Sequence, residues 1–141
     1  MAKMLIQVSH TLKLRKGVKM KTKDDCLFCK IVAGEVPSTK VYEDDVVYAF
    51  DDINPMMPVH TLVIPKDHYD NIADDLPAEV SAGIVAGVQK VAEIKGIKED
   101  GFRVCVNTGK HGCQAVNHVH FHVMGGAQMD TGSPLKKNMG K

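Results

Sequence analysis

Three histidines, His118, His120 and His122, alternate with Val119, Phe121 and Val123 near the C-terminal end of a 141-residue chain. That two-residue period belongs to a β-strand, so the three imidazoles share one face and the apolar residues turn the other way into a core. A face of this composition is selected for something other than burial. A solvated polar face would use Thr, Lys or Glu, and a metal site is the other alternative. The chemistry that suits it best is nucleophilic. Near pH 7 an imidazole is neutral, and if one ring nitrogen donates to a backbone carbonyl the other is fixed as the attacking atom. Neighbouring histidines can stabilise charge on a phosphoryl oxygen or protonate a leaving group, so this chemistry requires no metal. A second pattern, Cys26-x-x-Cys29, presents two thiols from one helical turn. It is half of a tetrahedral zinc site or a pair of reduced buried cysteines. Cys105 reads as a small core hydrophobe.

These residues need a scaffold, and its elements are legible. Leu27, Phe28, Ile31 and Val32 have helical spacing, predicting a two-turn helix over Cys26–Ala33 closed by Gly34. Lys40–Glu43, Val46–Asp51 and Thr61–Ile64 are rich in β-branched and aromatic residues, and turn residues separate them, so they read as strands of a meander. Val80, Ile84, Val88 and Val91 recur at three- and four-residue steps between Pro77 and Gly96, which predicts one long helix on the sheet. Gly83 and Gly87, one turn apart, suggest a groove where a helix of a second copy approaches. Phe102–Val106 and His118–Met124 complete an α+β fold.

Composition narrows the class. The length and 44% hydrophobic content suit one domain with a real core. No apolar run approaches the ~20 residues that span a bilayer. A net charge of +1 gives no general reason to bind polymeric nucleic acid. Four cysteines are too few for a disulfide scaffold, so a reducing compartment, the cytoplasm, is expected. Residues 1–23 form a basic extension with Lys3, Lys13, Arg15, Lys16, Lys19, Lys21 and Lys23 and no acid, faintly like an organellar transit peptide. Met20 is an alternative start, and Met4–Val8 with Thr11–Leu14 is an expected strand pair. The domain proper is expected over residues 24–141.

The segment His-Val-His-Phe-His-Val-Met resembles the signature of the histidine triad (HIT) family. The resemblance runs from about Cys26 to Met129 through Ala-Phe-Asp-Asp-Ile-Asn-Pro, His-Thr-Leu-Val-Ile-Pro-Lys-Asp-His and Asn107-Thr108-Gly109. Val123-Met124-Gly125-Gly126 is similar to the Hint branch of purine nucleoside phosphoramidate hydrolases. The resemblance implies an antiparallel sheet of about five strands with one long and one short helix, continued across a homodimer. It implies that His120 is the nucleophile, with its tautomer held by the His118 carbonyl. His122 would contact the phosphate and His60 would be a fourth active-site histidine. Asp52 would take both ribose hydroxyls. Leu27, Phe28, Ile31 and Ile53 would line a purine slot, although each taken singly reads equally as core. Asn107, Gln114 and the backbone at Ala115 would hold the α-phosphate. In some bacterial relatives the Cys26/Cys29 pair is completed by residues matching His68 and His118, giving a closed, structural zinc site. Two features depart from the pattern: Cys113-Gln114-Ala115-Val116 replaces Gly-Gln-Ser-Val, and there is no tryptophan. The implied partners are AMP or GMP conjugates. The alternatives are a dinucleoside polyphosphate hydrolase and a non-catalytic nucleotide-binding scaffold.

Overall fold

The computed structural model describes residues 20–131, so the strand pair expected near the N-terminus lies outside them. Helix α1 covers Leu27–Val32; Cys26 is its N-cap and Gly34, at φ +80°, lies just beyond its end. Strands β1 (Lys40–Glu43), β2 (Val47–Asp51) and β3 (Val59–Pro65) form the expected meander. Helix α2 spans Ala78–Ile94 with Pro77 at its N-cap position, and Gly96 at φ +70° follows its C-cap Lys95. Strands β4 (Phe102–Val106) and β5 (Phe121–Gly125) follow. The sheet order is β1-β2-β3-β5-β4, with every neighbouring pair antiparallel. Among the described residues no helix is long and apolar enough to cross a membrane.

Strand β5 begins three residues later than the histidine pattern suggests. The ladder with β3 ends at Val63↔Phe121, and continuing it would bring Val119 opposite Pro65, which has no N–H to give. The Pro65 carbonyl instead accepts from the His118 ring at 2.9 Å.

The sheet is a middle layer with two cores. On one face Val47, Ala49, Val63, Val119 and Val123 pack against Val80, Ile84, Val88 and Val91 of α2. On the other, Phe28, Cys29 and Ile31 of α1 pack against Tyr48, Phe50, Leu62 and Ile64. Cross-strand register carries this second face outward: Phe50 pairs Leu62, Leu62 pairs His122, and His122 pairs Cys105. Helix α1 covers two of the three triad histidines, His118 at 0% and His120 at 4% exposed, whereas His122 is half-buried. One expectation is corrected here: Cys105, read as a core residue, is only half-buried, on the histidine side of the edge strand β4.

The α2 glycines also read differently in three dimensions. A Cβ at Gly83 would lie 2.5 Å from Val46 Cγ1, and one at Gly87 would lie 2.9 Å from Val47 Cγ2 and 3.1 Å from Val63 Cγ1. The missing side chains let α2 settle on its own sheet, so the groove is already filled by this chain. In an exposed helix Gly→Ala gains ~1 kcal/mol. Here Gly87→Ala should instead destabilise by ~1–3 kcal/mol through overpacking, read as a lower midpoint in chemical denaturation. An unchanged or raised midpoint would contradict this packing.

Candidate active site

The histidines are wired by groups whose hydrogen-bonding roles are fixed. A carbonyl only accepts, so the 2.8 Å contact between His120 Nδ1 and the His118 carbonyl means that Nδ1 donates. The Nε2 lone pair of neutral His120 is left free. Phe28 meets the His120 ring edge-on at 5.2 Å and 90°, which holds its plane.

On β3 the logic runs in the opposite sense. The Met56 N–H donates to His60 Nδ1 at 3.0 Å, so neutral His60 carries its proton on Nε2. That Nε2–H lies 2.9 Å from His122 Nδ1 and 3.4 Å from Asp52 Oδ2. His122 therefore accepts on Nδ1 and bears its own proton on Nε2. The His120 and His122 ring centroids are 5.0 Å apart with planes at 63°, so a ring with a free acceptor nitrogen neighbours one with a donor N–H. Burial, the largest cause, pushes His122 down to about 4, and the nearby His120 and His60 push the same way. Burial likewise lowers His60, against the pull of Asp52.

Cys26, Cys29, His68 and His118 form a separate buried cluster. His118 Nδ1 lies 3.4 Å from Cys26 Sγ and 3.5 Å from Cys29 Sγ, and His68 Nδ1 lies 3.4 Å from Cys29 Sγ. A tetrahedral zinc with arms of ~2.1 Å to nitrogen and ~2.3 Å to sulfur spaces those atoms ~3.6 Å apart. Both rings also have the necessary outer partner: His118 Nε2 donates to the Pro65 carbonyl and His68 Nε2 to Asp70 Oδ1, at 2.9 and 2.7 Å. Both Nδ1 lone pairs thus face the thiols. Burial pushes the Cys29 thiol up to about 11, an environment that a cation between the sulfurs would reverse. The donor set fits a metal.

Asp52, His60 and His122 also lie close enough to hold an ion. Here the wiring argues otherwise. His60 Nδ1 is occupied by the Met56 N–H, so its Nε2 holds a proton, not a lone pair. The hydrogen bonds of this trio suit passing a proton better than holding an ion.

The expected binding residues divide. Asp52 stands beside the histidines, with Oδ1 accepting from the Asn54 N–H at 2.8 Å and Oδ2 turned to His60. Phe28 and Ile31 are closed into the core, whereas Leu27 is 47% and Ile53 91% exposed. A cleft of about 320 Å³ brings Leu27 together with Ala115 and Val116 beside Cys26 and His68. Asn107 Nδ2 is engaged with the Gly112 carbonyl at 2.7 Å, and Cys113 sits at φ +60°. Gln114 spends both amide hydrogens on carbonyls, those of Asp70 and Val116, so a phosphate contact would need one released. Sequence reasoning missed the Met56 N–H, Asp70 and the inward face of Cys105. Of these only Asp70, two residues after His68, had a signal in spacing.

A small α+β domain with an imidazole nucleophile candidate and a paired donor defines a histidine-based group-transfer site. The HIT domain family model matches residues 33–129. The chain is 42% identical over 106 residues to the purine nucleoside phosphoramidase of Escherichia coli, covering 73% of this chain and 88% of that one. It is 44% identical over 108 residues to a 14 kDa zinc-binding protein of Zea mays, covering 74% and 84%. A histidine triad protein structure from Clostridium difficile superposes with a TM-score of 0.74 at 45% identity, covering 79% of this chain and 99% of that one. The chain belongs to the histidine triad family.

The depressed His122 pKa has a thermodynamic consequence. Between about 4 and 6.5 the unfolded chain binds a proton at this position that the native state refuses, so stability is lost as pH falls through that window. Melting temperature should therefore decline from pH 7 to pH 5, and His122→Gln should flatten the decline. Parallel curves for the two proteins would show that His122 is not a source of the dependence.

Proposed function

We propose that this protein hydrolyses purine nucleoside 5′-phosphoramidates through a nucleotidyl-histidine intermediate. The observation that carries the reading is the opposed wiring of two neighbouring rings: His120 has a free Nε2 lone pair and His122 has an Nε2–H. His120 Nε2 attacks the α-phosphorus, the P–N bond to the amine breaks, and the departing amine takes a proton from the His122 side of the site. Water then attacks phosphorus and returns a proton to the His122 side as the phosphorus–Nε2 bond breaks, releasing the mononucleotide and restoring the His120 lone pair. His118 acts through its carbonyl, and His60 sets the His122 tautomer. Asp52 accepts from the ribose hydroxyls, Leu27, Phe28, Ile31 and Ile53 surround the base, and Asn107 with the Ala115 backbone steadies the phosphate. Free cysteines at all four positions suit a cytoplasmic protein.

Two chains associate through α2 and β4 in this reading. Phe102 and Val104, 37% and 41% exposed on an edge strand with unpaired backbone groups, support it, as do the exposed Val85 and Ile94 of α2. Light scattering at micromolar concentration should give the mass of a dimer; a monomer's mass would reject the arrangement.

Cys26, Cys29, His68 and His118 would hold one zinc, whose contribution is to cross-link α1 to the sheet. Metal analysis should find about one zinc per chain. Cys26→Ser keeps a side-chain oxygen able to cap α1, where Cys26 Sγ now accepts the Cys29 N–H at 3.3 Å. The variant should therefore lose metal and melting temperature while turnover per folded molecule changes far less. Equal melting temperatures, with metal absent from both proteins, would remove the site from the account.

His120→Ala should abolish the covalent intermediate in quench mass spectrometry and cut turnover of an adenosine phosphoramidate by ~10⁴-fold. Mononucleotide affinity should change by at most ~tenfold, ~1.4 kcal/mol. Asp52→Ala should do the reverse, weakening binding while the adduct persists at saturation. Faster turnover of a dinucleoside polyphosphate would reassign the leaving group. A tight nucleotide complex without adduct or turnover would favour a binding scaffold.

A further inference from the structure

Gln114 links the loop between β4 and β5 to the segment that carries His68 through its side chain. Its Oε1 accepts from the Gly109 N–H at 2.9 Å and its Nε2 donates to the Val116 carbonyl at 2.9 Å, which closes the loop between β4 and β5 around Cys113 and Ala115. The remaining hydrogen on Nε2 leaves the loop and reaches the Asp70 carbonyl at 2.6 Å. Asp70 in turn touches the metal cluster from outside. Its carboxylate accepts from His68 Nε2–H at 2.7 Å, which aims His68 Nδ1 at Cys29 Sγ. The neighbouring Val119 N–H donates to the Tyr69 carbonyl at 2.8 Å, tying the same segment to the start of the triad. Cys26 and His68 of the cluster and Ala115 of the loop line one cleft.

We propose that Gln114 is a positioning residue that couples the Cys26/Cys29/His68/His118 cluster to the loop expected to hold the α-phosphate, so that zinc and nucleotide strengthen each other's binding. The inference rests on the zinc and nucleotide readings above. An occupied cluster fixes His68, His68 fixes Asp70, and the Asp70 carbonyl anchors the amide that keeps the loop closed. Without the metal the anchor is free to shift, and the loop loses one of the three bonds that the Gln114 side chain supplies. Because coupling between binding sites is reciprocal, a nucleotide that orders the loop must hold the metal more tightly by the same factor.

The test is the equilibrium partition of zinc between the full-length protein and a chromogenic chelator, with and without saturating AMP. AMP should tighten zinc binding by about fivefold or more in the wild-type protein. Gln114→Glu keeps an acceptor for Gly109 and removes both donors, to Asp70 and to Val116. It should bind zinc more weakly even without AMP and lose the AMP effect, with circular dichroism confirming a folded chain. A residue that only touched phosphate would leave the AMP-free zinc affinity unchanged, and that result overturns the coupling. So does a wild-type protein that binds zinc and AMP yet holds zinc with one affinity with or without nucleotide. Failure to bind zinc or AMP at all would instead overturn the readings beneath it.

Discussion

The hydrogen bond from His120 Nδ1 to the His118 carbonyl is the constraint around which the rest of the molecule is arranged. It requires a His118 main chain that cannot rotate and a His120 ring held in one plane. The fold meets each demand separately. Val119 and Val123 anchor the strand from the α2 face, the Pro65 carbonyl and the cysteine cluster immobilise the His118 ring, and Phe28 bounds His120. Helix α1 is six residues long, too short to be stable alone, and its place is secured by packing and by the cluster at its N-terminus.

Two histidine clusters built from the same residue type thus acquire different chemistry from their outer partners. Where the partner is an acceptor on Nε2, as at His68 and His118, the inward nitrogen is a lone pair suited to a metal. Where the partner is a donor on Nδ1, as at His60, the inward nitrogen is a proton source. Spacing finds the triad and the cysteine pair, and resemblance adds the rest; the direction of these bonds separates a ligand set from a donor–acceptor pair.

That contrast also marks what the sequence could and could not reveal. Strands β1 and β4 were legible to the residue, because β-branched runs bounded by turn residues leave little choice. The triad and its nucleophile candidate were legible from alternation and from family resemblance. The burial of the histidine face was not, since period two distinguishes the faces of a strand without saying whether a short distant helix covers one of them. Gly83 and Gly87 misled for a related reason: a small residue marks a close approach, but not which partner makes it. Gln114 was assigned by analogy to phosphate, while its hydrogen bonds run to backbone groups that no side-chain pattern encodes.

Much of the site's proton logic resides in the main chain. The His118 and Pro65 carbonyls and the Met56 N–H fix three tautomers, and none depends on the identity of the side chain it belongs to. Met56 is 69% exposed, so its side chain is little constrained by packing. Proline there would delete the N–H, free His60 to move its proton to Nδ1, and reverse the direction of the His60–His122 hydrogen bond while every histidine stayed in place. Comparing aligned histidines would not detect such a change, so kinship by motif and competence for chemistry can part company at a position that looks unconstrained.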